Sequence, residues 1–317
     1  MNILIISNKL FHIRAEDIEQ IKAAASGYTV TYVRDSDVTQ EMVEKAEIIF
    51  GFLKPEQFAA AKTLQWLQLP SAGADYINHN LFYNKDLRIT NSSGVYGLPI
   101  AEHVFSMILS FNHNLQSYAY HKADRKWSRI YEAKDFWGST VGIIGLGDIG
   151  SGVAVRAKAW GAKVLAVKRT ITERPEYVDE LYTLEEIDEV LKQSDYVVLC
   201  LPGTAKTRSV ITEERLRLMK PDSFLVNIGR GSLIDQEALI KALRENWIGG
   251  AGLDVMEPEP LPQDNPLWEL PNVIITPHAS GYSPTNDRRH FKIFYDNLKR
   301  YLEKKPLNNM VDLKEGY

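Results

Sequence analysis

The chain has 317 residues, which is long for a single hydrophobic core, so two domains are expected. Hydrophobic residues make up 44% and charged residues 25% of the chain, as in an ordinary globular protein. The formal net charge of -4 at pH 7 argues against a nucleic-acid partner, because binding phosphates requires a basic face.

Cys200 is the only cysteine, which excludes an intrachain disulfide and makes a cysteine metal site implausible. We expect no bound metal and a reducing compartment. No stretch approaches the roughly 20 apolar residues that span a bilayer, and the opening MNILIISNKL lacks the basic region and cleavage site of a signal peptide. The sequence therefore predicts a cytoplasmic protein with no membrane partner.

Short apolar runs alternate with amphipathic helical stretches from the first residues onward. Strands are predicted at 2–6, 29–33, 47–52 and 64–70, with helical spacing at 15–25 and 39–46. This alternation is typical of parallel βα units. The fourth run ends in a loop of small residues, Ser71-Ala72-Gly73-Ala74.

A long helical pattern over 98–116, with Pro99 in its first turn, separates this series from a second one. Strands of the second series are predicted at 141–147, 163–167, 196–202, 223–229, 250–255 and 272–278. An amphipathic helix is predicted again at 284–304. The two series predict an α/β fold with two parallel sheets.

The second series opens with a glycine-rich turn, Gly145-Leu146-Gly147-Asp148-Ile149-Gly150. Gly145 allows the tight turn, Gly147 lets the backbone approach a pyrophosphate, and Gly150 lets helix and strand pack closely. The helix that follows offers free N–H groups and the positive end of its dipole. A bare GxGxxG is weak evidence, but here it stands between a strand and a helix, as dinucleotide binding requires.

Three successive strands of the second series end in residues that can do acid–base chemistry. Arg230 follows SFLVNIG, Asp254 and Glu259 follow GAGL, and His278 follows NVIITP. Each alone is more simply explained as a loop or surface residue. Ligands of doubly wound sheets bind at the carboxyl ends of the strands. We therefore predict a catalytic set formed by Arg230, Glu259 and His278.

Reduction of a 2-keto acid needs a hydride at C2 and a proton on the carbonyl oxygen. An imidazolium is a suitable proton donor near neutral pH, and a neighbouring carboxylate stabilises it. An arginine can hold the substrate carboxylate and polarise the carbonyl. A nicotinamide cofactor would carry the hydride.

The blocks LPSAGADYI, VGIIGLGDIG, NIGRGSLID, GLDVMEPEPLP and ITPHASG resemble the D-isomer-specific 2-hydroxyacid dehydrogenase family, in the same order and over nearly the whole chain. The resemblance implies two Rossmann/flavodoxin-like doubly wound parallel-sheet domains with a cleft between them. The substrate domain would comprise residues 1–98 and 284–317, and the dinucleotide-binding domain residues 99–283. It also implies a homodimer formed through the dinucleotide domains.

The same resemblance implies roles for individual residues. Arg230, Glu259 and His278 match the family's catalytic arginine, glutamate and histidine through the GRG, EPEP and PH motifs. The backbone of Ser71-Ala72-Gly73 would receive the substrate carboxylate, which Arg230 also binds. Asp254 would hold the nicotinamide carboxamide. The remaining cofactor contacts implied by the family are Leu201, Pro202, Thr207, Ile228, Gly229 and Ser280.

The sequence departs from the family at the end of the strand 163–167. NAD-dependent members carry an aspartate there, whereas this chain continues with Lys168, Arg169 and Thr170, and the next acid is Glu173. An acid would bind the ribose hydroxyls and repel a 2′-phosphate, and the basic pair reverses that preference. Charged residues also follow buried strands with no ligand, but at this position they predict NADP, with NAD as the second choice.

Several functions remain compatible with these residues. The first is an NADPH-dependent reductase of a small 2-keto or D-2-hydroxy acid, of the glyoxylate/hydroxypyruvate reductase type. The alternatives are a phosphoglycerate dehydrogenase-like NAD enzyme and a nucleotide-sensing co-repressor on the same fold. Formate or phosphite oxidation is less well matched, since formate oxidation needs no proton relay and the histidine has a glutamate partner.

Overall fold

The structure is a computed structural model that describes residues 1–74, 76–171 and 173–312. The chain divides into two units, one formed by Met1–Tyr96 with the segment from Tyr282 onward, and the other by Gly97–Gly281. Residues 313–317, which were assigned to the substrate domain, lie outside the described residues.

The first unit is built on a five-stranded parallel sheet with the order β2-β1-β3-β4-β5. Its strands are β1 (Asn2–Ser7), β2 (Thr29–Arg34), β3 (Ile48–Phe50), β4 (Trp66–Gln68) and β5 (Arg88–Thr90). Its helices are α1 (Ala15–Ala24), α2 (Gln40–Lys45), α3 (Pro55–Phe58) and the last helix of the chain, α10 (Asn286–Leu302).

The central strands β1 and β3 are buried on both faces, which is why they are continuous apolar runs rather than alternating ones. Leu4 and Ile49 belong to the core on one face, and Ile5 and Phe50 to the core on the other. Helix α10 covers the second face through Phe294, whose ring stacks on Phe50 at a centroid distance of 4.4 Å.

The second unit is built on a seven-stranded parallel sheet with the order β12-β11-β10-β9-β6-β7-β8. Its strands are β6 (Thr140–Ile144), β7 (Lys163–Val167), β8 (Glu180–Tyr182), β9 (Tyr196–Leu199), β10 (Phe224–Asn227), β11 (Gly250–Leu253) and β12 (Val273–Ile275). Its helices are α4 (Gly97–Asn112), α5 (Leu115–Ala123), α6 (Asp148–Ala159), α7 (Ile187–Gln193), α8 (Glu213–Leu218) and α9 (Gln236–Arg244).

The order of the strands reverses between β6 and β9, so loops leaving these two neighbours turn to opposite faces of the sheet. Such a switch point leaves a crevice at the carboxyl ends of the strands, where doubly wound proteins bind nucleotides. The predicted α/β fold with two parallel sheets is confirmed.

The helix predicted over 98–116 is in fact two helices. α4 ends at Asn112, and Asn114 adopts a left-handed conformation with φ 55° before α5 begins. Asparagine tolerates this conformation, and the Asn114 amide also donates to the Glu132 carbonyl at 2.9 Å. Apolar spacing continues across the break, so the sequence pattern did not reveal it.

Strands β5 and β8 were not predicted. Each has three residues, which is too short for a periodic pattern to stand out. β8 lies at the edge of its sheet with all three residues half-buried. Among the described residues, no helix combines the length and apolarity needed to cross a membrane.

Candidate active site

The glycine-rich turn follows β6 and runs directly into α6. Gly145 has φ 110°, and a Cβ there would lie 2.9 Å from the backbone of Cys200 on the neighbouring strand end. A Cβ on Gly150 would lie 2.1 Å from the Gly145 carbonyl oxygen. Both positions therefore require glycine. A Cβ on Gly147, in contrast, would meet nothing within 4 Å.

The open side of Gly147 suits a phosphate group. Gly147 is the N-cap of α6 and has no side chain to cap the helix, and Asp148 and Ile149 begin the first turn. The first amides of any helix have no intrahelical acceptor. Free amides at a helix N-terminus and the positive dipole end favour an anion. The turn therefore fits the pyrophosphate of a dinucleotide.

The basic residues after β7 lie next to this turn. The amides of Gly145 and Leu146 both donate to the Val167 carbonyl, at 3.1 and 3.0 Å. Lys168, the next residue, is half-buried, and its amide donates to the Tyr182 carbonyl at 2.9 Å. Arg169 and Thr170 are exposed.

His278 and Glu259 form a hydrogen-bonded pair. His278 Nδ1 lies 2.8 Å from Glu259 Oε2, while Glu259 Oε1 accepts from the Met256 amide at 3.1 Å. His278 Nε2 makes no hydrogen bond to any described residue. The side chains are 54% and 36% exposed, so the ring can reach a ligand while the carboxylate orients it. A protonated ring in this arrangement would present its Nε2 proton outward.

His278 itself has φ 52°, an uncommon conformation for a residue other than glycine. Asp254 holds it there. The Asp254 carbonyl accepts from the His278 amide at 2.8 Å, and its carboxylate accepts from Thr276 Oγ1 at 2.5 Å and the amides of Ala279 and Ser280 at 2.8 and 3.0 Å.

The Asp254 side chain has no exposed surface. Its burial alone would raise the carboxyl pKa, but the hydrogen bonds from Ser280 and Thr276 outweigh burial and lower it, so the group is ionised. Its contact with a nicotinamide carboxamide stays a prediction. Its role in shaping the turn of His278 was missed, because no motif links residue 254 to the amides of residues 279 and 280.

Arg230 follows β10 and is half-buried. Its Nη1 donates to the Gly229 carbonyl at 2.8 Å, and its own carbonyl accepts from Asn227 Nδ2 at 2.9 Å. A Cβ on Gly231 would lie 2.1 Å from the Met256 carbonyl carbon, so the loops after β10 and β11 are in contact. The Met256 amide donates to Glu259, and Glu259 pairs with His278. The loops that carry Arg230, Glu259 and His278 therefore adjoin one another.

The other cofactor contacts predicted after β9 and β10 form a second group of adjoining residues. Thr207 Oγ1 donates to the Pro202 carbonyl at 2.7 Å, and a Cβ on Gly229 would lie 2.7 Å from the Leu201 carbonyl oxygen. Ile228 is buried at the end of β10. These residues lie at the ends of β9 and β10, between the catalytic candidates and the glycine-rich turn.

The loop Ser71–Gly73 follows β4 in the first unit. Its carbonyls all accept hydrogen bonds: Ser71 O from the Ser92 amide at 2.8 Å, Ala72 O from Asn91 Nδ2 at 2.8 Å, and Gly73 O from Ser71 Oγ at 2.9 Å. The amides of Ser71, Ala72 and Gly73 donate to no acceptor in the described part of the chain. With its carbonyls held and its amides available, the loop fits an anion.

The second unit thus has, at its switch point, a glycine-rich turn that fits a phosphate, with acid–base residues towards one edge and cations on the other side. A parallel sheet with this order and these strand ends is typical of NAD(P)-dependent oxidoreductases that transfer hydride.

Residues 105–280 match the family model described as D-isomer specific 2-hydroxyacid dehydrogenase, NAD binding domain. The glyoxylate reductase of Thermococcus onnurineus (strain NA1) is 38% identical over 258 residues, covering 78% of this chain and 75% of that protein. The chain belongs to the D-isomer specific 2-hydroxyacid dehydrogenase family.

Two solved structures of this family superpose on nearly the whole chain. The family member from Aeromonas salmonicida subsp. salmonicida A449 has a TM-score of 0.85 and 33% identity, covering 98% of each chain. The member from Xanthobacter autotrophicus Py2, solved in complex with NADPH and MES, has a TM-score of 0.81 and 28% identity, covering 99% of each chain.

Proposed function

We propose that the protein is an NADPH-dependent reductase of a small 2-keto acid, of the glyoxylate/hydroxypyruvate reductase type. The observation that carries this proposal is the His278–Glu259 pair at 2.8 Å on loops adjoining that of Arg230. It supplies a proton donor, the carboxylate that stabilises it, and a cation for a carboxylate substrate. The glyoxylate reductases among its relatives support the choice of substrate class.

His278 acts as the general acid. Its Nδ1 is held by Glu259, so the proton that it transfers to the carbonyl oxygen is the one on Nε2. Glu259 stabilises the imidazolium before the transfer and keeps the neutral ring in the Nδ1–H form afterwards. The hydride for the carbonyl carbon would come from a nicotinamide cofactor when one is bound.

Arg230 recognises the acid function of the substrate. Its planar guanidinium can donate two parallel hydrogen bonds to a carboxylate, and it can polarise the adjacent carbonyl. The assignment of the Ser71–Gly73 amides to the substrate carboxylate is part of the same proposal. The three amides, which donate to no acceptor among residues 1–74, 76–171 and 173–312, support it.

We assign the unit Gly97–Gly281 to cofactor binding and the other unit to the substrate. The glycine-rich turn supports the first assignment and the Ser71–Gly73 loop the second. The one cysteine, Cys200, is compatible with a cytoplasmic location.

We further propose that Lys168, Arg169 and Thr170 bind the 2′-phosphate of NADP. The hydrogen bonds from the Gly145 and Leu146 amides to Val167 place these residues beside the phosphate turn. An ammonium and a guanidinium there attract a phosphate, and the Thr170 hydroxyl can donate to it. The Xanthobacter relative, solved with NADPH, supports this choice of cofactor.

The test is a panel of small 2-keto acids assayed with NADPH and with NADH. Wild type should prefer NADPH, and Arg169→Ala should lower kcat/KM for NADPH about 10- to 150-fold, the cost of one hydrogen bond to a charged group, while NADH is nearly unaffected. Arg244→Ala, an exposed arginine on α9, is the control.

Equal use of both cofactors by wild type, or an equal loss for both in Arg169→Ala, would show that the basic pair is only a solvated strand end. Absence of turnover with every 2-keto acid and either cofactor would instead favour the nucleotide-sensing co-repressor.

We also propose a homodimer formed through the dinucleotide unit. The segment between α5 and β6 exposes large aromatic side chains, with Trp127 101%, Tyr131 82% and Trp137 80% exposed. Clustered exposed apolar residues of this size mark protein interfaces. Sedimentation velocity should give twice the chain mass of 36.0 kDa, and Trp127→Ser should shift the equilibrium towards the monomer. A monomeric wild type would contradict the proposal.

A further inference from the structure

Two hydroxyl groups bind the carbonyls that precede the Ser71–Gly73 loop. Ser92 Oγ donates to the Leu69 carbonyl at 2.7 Å, and the Tyr96 hydroxyl donates to the Pro70 carbonyl at 2.6 Å. Together with the bonds described above, every carbonyl from residue 69 to residue 73 accepts a hydrogen bond. A backbone held in this way fixes the direction of its amides.

Both hydroxyls contact the same imidazole. His290, in the second turn of α10, has its Nδ1 at 3.0 Å from Ser92 Oγ and its Nε2 at 3.3 Å from the Tyr96 hydroxyl. The His290 side chain is buried, as is Ser92. Its ring packs edge-on against Phe11 and Tyr96, each at a centroid distance of 5.5 Å.

The hydrogen atoms available in this network assign the tautomer of the ring. Ser92 gives its hydroxyl hydrogen to Leu69, so the 3.0 Å contact requires His290 Nδ1 to be the donor. The ring is neutral near pH 7, because burial, and to a lesser extent the charge of Arg289, lowers the pKa of His290 to about 4. The single proton of the ring is therefore on Nδ1. Tyr96 gives its hydroxyl hydrogen to Pro70 at 2.6 Å, so His290 contacts Tyr96 by packing and Ser92 by a hydrogen bond.

We infer that His290 is a positioning residue for substrate binding, acting through Ser92 and Tyr96 on the loop Ser71–Gly73. This inference rests on the proposed role of that loop in binding the substrate carboxylate. His290 holds the Ser92 hydroxyl by a hydrogen bond and packs against the Tyr96 ring, and the hydroxyls of these two residues hold the two carbonyls from which the loop starts.

The surroundings of the ring favour this role over simple packing. Phe11 and Tyr96 would pack equally well against an apolar side chain, which would cost no desolvation. A buried imidazole is compatible with stability only when its polar atoms have partners. Here the partner of the Nδ1 proton is the Ser92 hydroxyl, which binds the first of the two carbonyls before the loop.

The first test compares steady-state kinetics with glyoxylate and NADPH in Tyr96→Phe, His290→Leu and His290→Asn. Loss of one buried hydrogen bond should raise KM for glyoxylate about fivefold to tenfold in Tyr96→Phe and His290→Leu, with kcat and KM for NADPH nearly unchanged. His290→Asn should be closer to wild type, because its amide can replace the Nδ1 donor. His12→Ala, an exposed histidine of the same unit, is the control.

The second test does not depend on activity. The Ser92 amide donates to the Ser71 carbonyl at 2.8 Å, so its hydrogen exchange reports how firmly the loop is held. Exchange should be faster in Tyr96→Phe and His290→Leu than in wild type and His12→Ala.

The two tests separate the inference from the proposed function. Unchanged exchange of the Ser92 amide in both variants would overturn the positioning role, whatever happens to KM. Two outcomes would support the positioning role and remove the loop from substrate binding. In the first, exchange is faster in both variants but KM for glyoxylate is unchanged. In the second, exchange is faster in both variants but the wild type does not reduce glyoxylate.

Discussion

Glu259→Gln tests the proton donor most directly. Glutamine keeps the shape of the side chain, and its amide oxygen can still accept from the Met256 amide, as Glu259 Oε1 does at 3.1 Å. What the substitution removes is the negative charge 2.8 Å from His278 Nδ1. The expected effect is therefore electrostatic, with little change in the fold of the loop.

The size of the effect follows from this distance. Two unit charges 2.8 Å apart interact by roughly 1.5 kcal/mol in a water-like dielectric, and more in a drier one. Because the side chains are 54% and 36% exposed, the water-like value is the appropriate one. Since about 1.4 kcal/mol corresponds to a factor of ten, loss of this stabilisation should lower kcat/KM for reduction about tenfold in Glu259→Gln.

The assay is kcat/KM for 2-keto acid reduction at saturating NADPH. Reduction needs the protonated ring, so removing the charge that stabilises it should lower kcat/KM about tenfold. Glu257→Gln is a matched control, because Glu257 is on the same loop but pairs with Arg208 at 2.8 Å. An unchanged kcat/KM in Glu259→Gln, or the same loss in Glu257→Gln, would refute the role of Glu259.

Two further predictions concern binding and stability. Arg230→Lys keeps the charge but loses the planar fork, so kcat/KM for the 2-keto acid should fall about 10- to 150-fold, and nearly full activity would exclude two-point binding. For His290, the unfolded chain binds a proton below the ordinary pKa of 6.5, whereas the folded protein does so only below about 4. Stability should therefore fall as the pH drops through this window, by about 3 kcal/mol from this group alone. In urea denaturation, the free energy of unfolding of His290→Asn should fall less over this pH window than that of wild type. A parallel pH dependence of the two proteins would contradict the prediction.

Much of the candidate site could be predicted from the sequence. The glycine-rich turn needs only neighbouring residues in a fixed order, and Arg230, Glu259 and His278 follow apolar runs that mark their own ends. Parallel strands bring their carboxyl ends to one edge of a sheet, so strand-end residues far apart in the chain are expected together. These features depend on local spacing and on one rule of topology.

The strand order and the contacts of side chains were decided by the tertiary structure alone. No periodic signal marks β5 or β8, and apolar spacing continues through the turn at Asn114 that separates α4 from α5.

The hydrogen bonds that position the site residues could not be predicted from the sequence either. Asp254 holds the turn of His278 by accepting amides 25 and 26 residues further along the chain, and His290 contacts Ser92 and Tyr96 across 198 and 194 residues. Hydrogen bonds of this kind form only where packing brings distant donors and acceptors within about 3 Å, and residue spacing carries no record of that distance.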